Sequence, residues 1–260
     1  MNYNYSYCIR IQYLGFRFHG WQKQPGLKTV HWAIDKTLKF VCKGIRNKSI
    51  GVGRTDAMVS STNYVFQLFI DEKLKETDFI ESFNKNSPSD IRALTIRRIT
   101  DNAFNIIQHP KLKEYRYYFS HGEKNHPYCA AFLTGVIQTL DLDKMKKGAK
   151  LYEGFHNFTR YCTKPSKETK VERVIDKCII TENTEFSASF FPETSYVLIV
   201  KGEGFLRNQI RLIMGALFEL GKGNYDLDFI KESLNPNSDI DFLKTIAPSS
   251  GLHLHQIEFK

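Results

Sequence analysis

The 260 residues are 42% hydrophobic and 25% charged, enough apolar material for a packed core and too much for a disordered chain. No window approaches the roughly 18 consecutive apolar residues of a membrane span, and the N-terminus MNYNYSYCIRIQYLG lacks a charged flank leading into an apolar signal core, which predicts a cytosolic protein. Lys and Arg number 37 against 28 Asp and Glu, a balance of +9 suited to a polyanionic partner. Five scattered cysteines, Cys8, Cys42, Cys129, Cys162 and Cys178, contain no CxxC pair and read as reduced, mostly buried thiols, with neither a disulfide framework nor a thiolate zinc site suggested.

Residues 5–13 alternate in the manner of a strand. From Thr29, a candidate N-cap, Val30, Ile34, Leu38 and Val41 fall at helical spacing. After the segment GVGRTDAMVSS, TNYVFQLFI reads as a strand, TDFIESFNK from Thr77 as a short helix, and DIRALTIRRIT from Asp90 as another strand. The order strand, helix, strand, strand, helix, strand suits an α+β ferredoxin-like unit. The theme returns from KEYRYYFS onward: a helix near 142–152, strands near 171–181 and 185–200, a long helix over 204–220 and a terminal strand LHLHQIEF. Element order therefore predicts an α+β fold of two related halves, 1–104 and 105–260, although the halves share no visible sequence identity. The stretch DNAFNIIQHPKLK around Pro110 is the expected linker.

Four segments could carry chemistry. In GVGRTDAMVSS, residues 51–61, Gly51 and Gly53 permit a tight or left-handed backbone that would present Arg54, Thr55 and Asp56. A carboxylate beside an arginine stays ionised and is available as nucleophile or base, yet a polar hairpin tip with an Asx-type turn would look the same. The spacing matches no phosphate-cradling loop. In KEYRYYF, alternation puts Lys113, Tyr115, Tyr117 and Phe119 on one face and Arg116 and Tyr118 on the other. The first face suits either base stacking or a core strand with its hydroxyls at the rim. In GEGFLRNQIRLIMGAL, Leu206, Ile210, Ile213 and Leu217 form a buried stripe, and Arg207 and Arg211 at i and i+4 form a basic ridge near the helix start, where the macrodipole favours an anion. The early loop GFRFHGWQKQPG interleaves Phe16, Phe18 and Trp21 with Arg17, His19 and Lys23. It could touch RNA or pack on the core. His253 and His255 have no third ligand nearby in sequence, so no metal site is predicted.

Taken in order and at these separations, YLGFRFHGWQKQP, GVGRTDAMV, KEYRYYF, GFLRNQIRLIMG and SSGLHLHQIEF resemble the motifs of the TruA-type tRNA pseudouridine synthases, from about Tyr13 to Phe259. The resemblance implies two ferredoxin-like halves, with antiparallel or mixed sheets, meeting at a basic, RNA-binding catalytic cleft. It also implies tRNA as substrate, usually a homodimer, and no cofactor or metal. By motif position it implies that Asp56 is the nucleophile, that Arg54 inserts into the RNA to hold the target uridine out of the stack, and that Tyr115 packs on the uracil and assists the late proton removal. Arg211 is implied to pair with Asp56, and Leu252 to lie on the other face of the base. Arg207 is expected to contact substrate phosphate. The implied target is uridine at the base of the anticodon arm.

Isomerising uridine means breaking the glycosidic bond, turning the ring and joining its carbon five to the sugar. That needs a carboxylate near the sugar, a flat aromatic support and exclusion of water, with the base first flipped out of its stack. Met58 stands where the family usually has glycine, and Ser60 where histidine is common. Asn105, Ile106 and Ile107 also depart from the pattern. The competing readings are an inactive tRNA-binding protein or RNA chaperone on the same scaffold, which would not require a buried carboxylate, and a metal-dependent nuclease, which the lack of clustered carboxylates disfavours.

Overall fold

The computed structural model describes residues 3–101 and 103–260. It is a mixed α+β structure whose strand pairs are mostly antiparallel, and it divides into two compact units, one of residues 1–111 with 254–260 and one of 112–253.

The first unit runs β1 (Tyr5–Tyr13), α1 (Val30–Val41), β2 (Asn47–Gly51), β3 (Ser60–Ile70), α2 (Glu76–Asn86) and β4 (Ile91–Ile99). Its sheet has the order β4-β1-β3-β2, antiparallel throughout. The alternation in β1 buries Tyr7, Ile9, Ile11 and Tyr13 on one face, as a period of two requires. Thr29 caps α1, its hydroxyl accepting from the Trp32 amide at 3.3 Å and satisfying one of the helix's orphan donors. Val30, Ala33, Ile34 and Leu38 are then buried. The short helix α2 docks through Phe79 and Phe83, with Phe83 against Phe66 of β3 at 6.4 Å. The strand β2, whose five residues NKSIG carry little apolar alternation, was not located from sequence.

The second unit contains β5 (Pro110–His121, which starts in the first unit), β6 (Thr134–Val136), α3 (Leu142–Lys150), β7 (Gly154–Asn157), β8 (Glu172–Ile175), β9 (Lys177–Glu182), β10 (Tyr196–Gly202), α4 (Gln209–Gly221) and α5 (Leu227–Ser233). Its main sheet has β10 between β5 and β9, both antiparallel to it, with β6 parallel to β5. β7 and β8 form a separate pair. The last strand, β11 (Leu252–Phe259), belongs to the first unit from Leu254 on, where Ser61 Oγ donates to the Leu254 carbonyl at 2.6 Å.

Three expectations are corrected. Residues 183–195 are not strand. Asn183 folds the chain back, its Oδ1 accepting from the Phe186 amide at 3.1 Å while its Nδ2 donates to the Phe186 carbonyl at 2.6 Å, so the strand starts only at Tyr196. Phe186, Phe190 and Phe191 instead cover a buried cluster of Tyr118, Cys129, Leu133 and Val197. The long helix starts at Gln209, not Gly204, because Asn208 adopts φ 60° and the Gln209 side chain accepts from the Leu206 amide at 2.7 Å, closing a turn ahead of the helix. The expected linker is packed: Phe104 lies against Phe259 at 5.4 Å, and His109 accepts from the Lys260 amide at 3.0 Å.

All five cysteines are free and four are buried; burial pushes the Cys42 thiol up to about 11. Among the described residues, no helix is long and apolar enough to cross a membrane.

Candidate active site

In the first unit, Asp56 sits in the connection from β2 to β3 and is half-buried, while Arg54 is exposed and its guanidinium makes no hydrogen bond or ion pair with another described residue. The connection is fixed from below by the early aromatic loop. The Trp21 amide donates to the Thr55 carbonyl at 3.1 Å, and the Met58 amide donates to the Phe18 carbonyl at 3.0 Å. Thr55 Oγ1 meets the Tyr13 hydroxyl at 2.9 Å in the interior, and the Tyr64 hydroxyl donates to the Gly53 carbonyl at 2.5 Å. Both flanks of Asp56 are thus held by hydrogen bonds from one loop, so its backbone is positioned before any substrate arrives.

The clamp is aromatic. Trp21 stacks on Tyr64 at 4.0 Å and on His31 at 5.2 Å, and Phe18 and Trp21 are each 2% exposed. Of the two readings of GFRFHGWQKQPG, packing on the core is therefore what these two rings do, and Arg17 is engaged with Asp90 at 2.5 Å. The signal for this role was in the sequence: Gly20, at φ 80°, lets the chain turn where a Cβ would lie 2.6 Å from the Thr55 carbonyl oxygen. By contrast, neither Gly51 nor Gly53 is left-handed. The residue of this connection that is left-handed is Met58, at φ 66°, which gives a steric reason why glycine suits that position.

In the second unit, Tyr115 on β5 is half-buried, with its ring perpendicular to Phe205 at 5.4 Å. Further along the same face, Tyr117 and Phe119 pack on Phe218 of α4 at 6.1 and 5.5 Å, so this face is buried at one end and half-buried at the other. Burial raises the Tyr117 hydroxyl's pKa, while its bond to Thr134 and the nearby Arg211 charge pull the other way. The opposite face carries a feature that the sequence did not flag. Glu114, 4% exposed, accepts from Arg116 Nε and from Lys201 Nζ, each at 2.8 Å, and Arg116 also reaches Glu185 at 2.5 Å.

Arg211 lies in the first turn of α4. Its Nε donates to the Ala247 carbonyl at 2.8 Å and an Nη donates to Asn208 Oδ1 at 3.0 Å. Asn208 is itself tied to Thr163 Oγ1 at 2.9 Å. The guanidinium is aimed by the nearby Asn208 and by Ala247, 36 residues away, with Thr163 holding Asn208 from 45 residues away; the long-range members leave no mark in the linear sequence. The expected Arg207–Arg211 ridge is not formed: Arg207 precedes the left-handed Asn208, lies outside the helix, and is exposed. Leu252 is 5% exposed and opens β11 after the turn at Ser249–Gly251. His253 Nε2 is 3.0 Å from the Phe132 carbonyl oxygen and His255 Nδ1 is 3.2 Å from Thr62 Oγ1. Among the described residues, no cluster of three His, Cys, Asp or Glu could hold a metal ion.

The first unit thus carries a loop carboxylate beside an exposed arginine, and the second an aromatic strand face and a guanidinium held by the Ala247 carbonyl. Comparison with known proteins defines the class. The family model described as tRNA pseudouridine synthase matches residues 149–260. Over its whole length the chain is similar to "tRNA pseudouridine synthase A 2" of Bacillus cereus (strain ATCC 10987 / NRS 248), 31% identical over 257 residues that cover 98% of this chain and 100% of the relative. It is likewise similar to "tRNA pseudouridine synthase A" of Listeria monocytogenes serovar 1/2a (strain ATCC BAA-679 / EGD-e), 29% identical over 98% of this chain and 99% of the relative. The chain belongs to the TruA-type tRNA pseudouridine synthases, a family of isomerases.

Proposed function

We propose that this enzyme isomerises uridine to pseudouridine in tRNA, at the base of the anticodon arm, with Asp56 as its nucleophile. The observation that carries the reading is the clamped connection around Asp56, which fixes the backbone that carries this carboxylate and leaves Arg54 unpaired and exposed beside it. A half-buried carboxylate held this way is poor core material and well suited to meeting a substrate.

The work divides between the chain's two halves, 1–104 with Arg54 and Asp56, and 105–260 with Tyr115, Arg207, Arg211 and Leu252. The order β4-β1-β3-β2 supports reading the first as a ferredoxin-like unit, and β9-β10-β5 repeats three of its four positions. The resemblance extends the proposal to a basic cleft for RNA and to a homodimer. Arg54 holds the flipped uridine. Asp56 bonds to the sugar carbon as the bond to the ring nitrogen breaks and leaves it with its electron pair when carbon five attacks, while the Tyr115 ring and Leu252 keep the freed uracil flat and close. Arg211 keeps the carboxylate ionised. Once carbon five has joined the sugar, the Tyr115 hydroxyl assists removal of its proton, and the freed nitrogen takes one up. No atoms are gained or lost, and the resemblance implies that no cofactor takes part.

The test is Asp56→Asn, which is nearly isosteric but has no anionic oxygen. Pseudouridine formation, read as tritium released from carbon five of labelled uridine in the tRNA, is expected to fall by several orders of magnitude, at about 1.4 kcal/mol per tenfold, while filter binding of the same tRNA changes little. Turnover within about tenfold of wild type would remove Asp56 from the nucleophile's role. A wild-type chain that binds tRNA without modifying it would instead favour the inactive binding protein.

A further inference from the structure

On β5, the face that carries Tyr115 also carries Lys113, two residues earlier. Its setting differs from that of every charged neighbour on the strand. Glu114 is satisfied by two cations and Arg116 by two carboxylates. Lys113 is half-buried and makes no hydrogen bond or ion pair with another described residue. Burial alone pulls its ammonium below the ordinary lysine value, with no nearby charge acting on it. The residue opposite it on β10 is Gly202, which has no side chain to rise beside the lysine. A partly desolvated ammonium with no partner is unfavourable in the free protein, and such groups gather where a ligand supplies the missing oxygen.

From these observations we infer that Lys113 is a catalytic residue: its ammonium donates a hydrogen bond to a carbonyl oxygen of the uracil and holds the negative charge that the ring carries while detached from the sugar. The inference rests on the reading that Tyr115 supports the uracil. Residues two apart on a strand are about 7 Å apart, a span that the lysine's four-carbon stem covers, so a base lying against the Tyr115 ring has its edge within reach of Nζ. Cleavage of the glycosidic bond sends its electron pair to the ring nitrogen, and the charge spreads onto the two carbonyl oxygens. Carbon five then returns a pair to the sugar carbon, loses its proton, and the nitrogen is protonated, so the charge exists only between the two bond changes. A donor fixed beside the oxygens therefore acts on the transition state more than on the bound substrate.

The experiment compares wild type, Lys113→Met, Lys113→Gln and Lys113→Arg on an unmodified tRNA transcript carrying uridine tritiated at carbon five, in steady state and single turnover, with pseudouridine formation read by tritium release. Lys113→Met is expected to lower kcat about 100-fold, with KM and tRNA binding nearly unchanged, and its thermal midpoint should not fall because a desolvated charge has been removed. Lys113→Arg should recover much of the loss. The wild-type rate should decline at alkaline pH as the ammonium deprotonates, a limb absent from Lys113→Met. If Met proves unstable, Gln serves the same comparison. A raised KM at unchanged kcat would assign Lys113 to phosphate binding and overturn the proposal, as would unimpaired turnover. Absence of any pseudouridine with the wild type would overturn the functional reading as well, which separates the two failures.

Discussion

Replacing Gly20 with alanine tests whether the aromatic loop sets the position of Asp56. Gly20 has φ 80°, and an added Cβ would lie 2.6 Å from the Thr55 carbonyl oxygen and 3.1 Å from the Asp56 carbonyl carbon. The left-handed backbone costs a non-glycine residue about 1 to 2 kcal/mol. The Thr55 carbonyl must also retreat by about half an ångström or more to reach ordinary contact, weakening its bond from Trp21, worth about 1 kcal/mol. The sum is a stability loss of about 2 to 3 kcal/mol. Because a shift near 1 Å can cost about 100-fold in rate, kcat should fall by about tenfold. Gly26→Ala is the control: its φ is 72°, so the backbone cost is similar, yet no atom lies within 4 Å of the added carbon. Thermal denaturation and single-turnover assays, run well below both midpoints, compare the two variants. Equal stability and equal kcat in the two would refute the idea that this loop positions the carboxylate.

Met58→Gly should stabilise the protein by about 0.5 to 1 kcal/mol, because relief of the left-handed cost exceeds the entropy that glycine adds to the unfolded chain; a lower denaturation midpoint in urea would show that the methionine side chain outweighs its backbone. Glu114→Gln should cost about 3 kcal/mol, the lower end for a broken buried pair, since Lys201 keeps a third of its side chain exposed; calorimetry giving a loss under 1 kcal/mol would mean the network is well solvated. His31 is held neutral by burial, which lowers its pKa from 6.5 against the partial opposition of Asp35. Its Nε2 bonds Ser49 Oγ at 2.8 Å, and its buried Nδ1 has no partner among the described residues. Folding therefore disfavours the protonated form, so this stability is present above the ordinary histidine pKa and is lost as pH falls below it. His31→Phe, which keeps the stack on Trp21, should flatten the fall in thermal midpoint between neutral and mildly acid pH.

Local interactions made much of this protein readable from its sequence. The periodicities of β1, α1, β5 and the α4 core stripe depend only on which residues can share a face, and capping at Thr29 on residues three apart. The motif spacings singled out Asp56, Tyr115 and Arg211 because each motif is a short continuous stretch. What the sequence left open depended on partners far away along the chain. Whether Phe18 and Trp21 meet RNA or core was settled by Tyr64 and Thr55. The end of the strand before Tyr196 and the late start of α4 were decided by side chains of Asn183, Gln209 and Asn208 that compete with the backbone ladder. Arg211 is aimed by the Ala247 carbonyl, 36 residues on, and Glu114 takes Lys201 from across the sheet. Such contacts pair groups by shape and charge once the chain has packed, and no pattern in the linear order marks them beforehand.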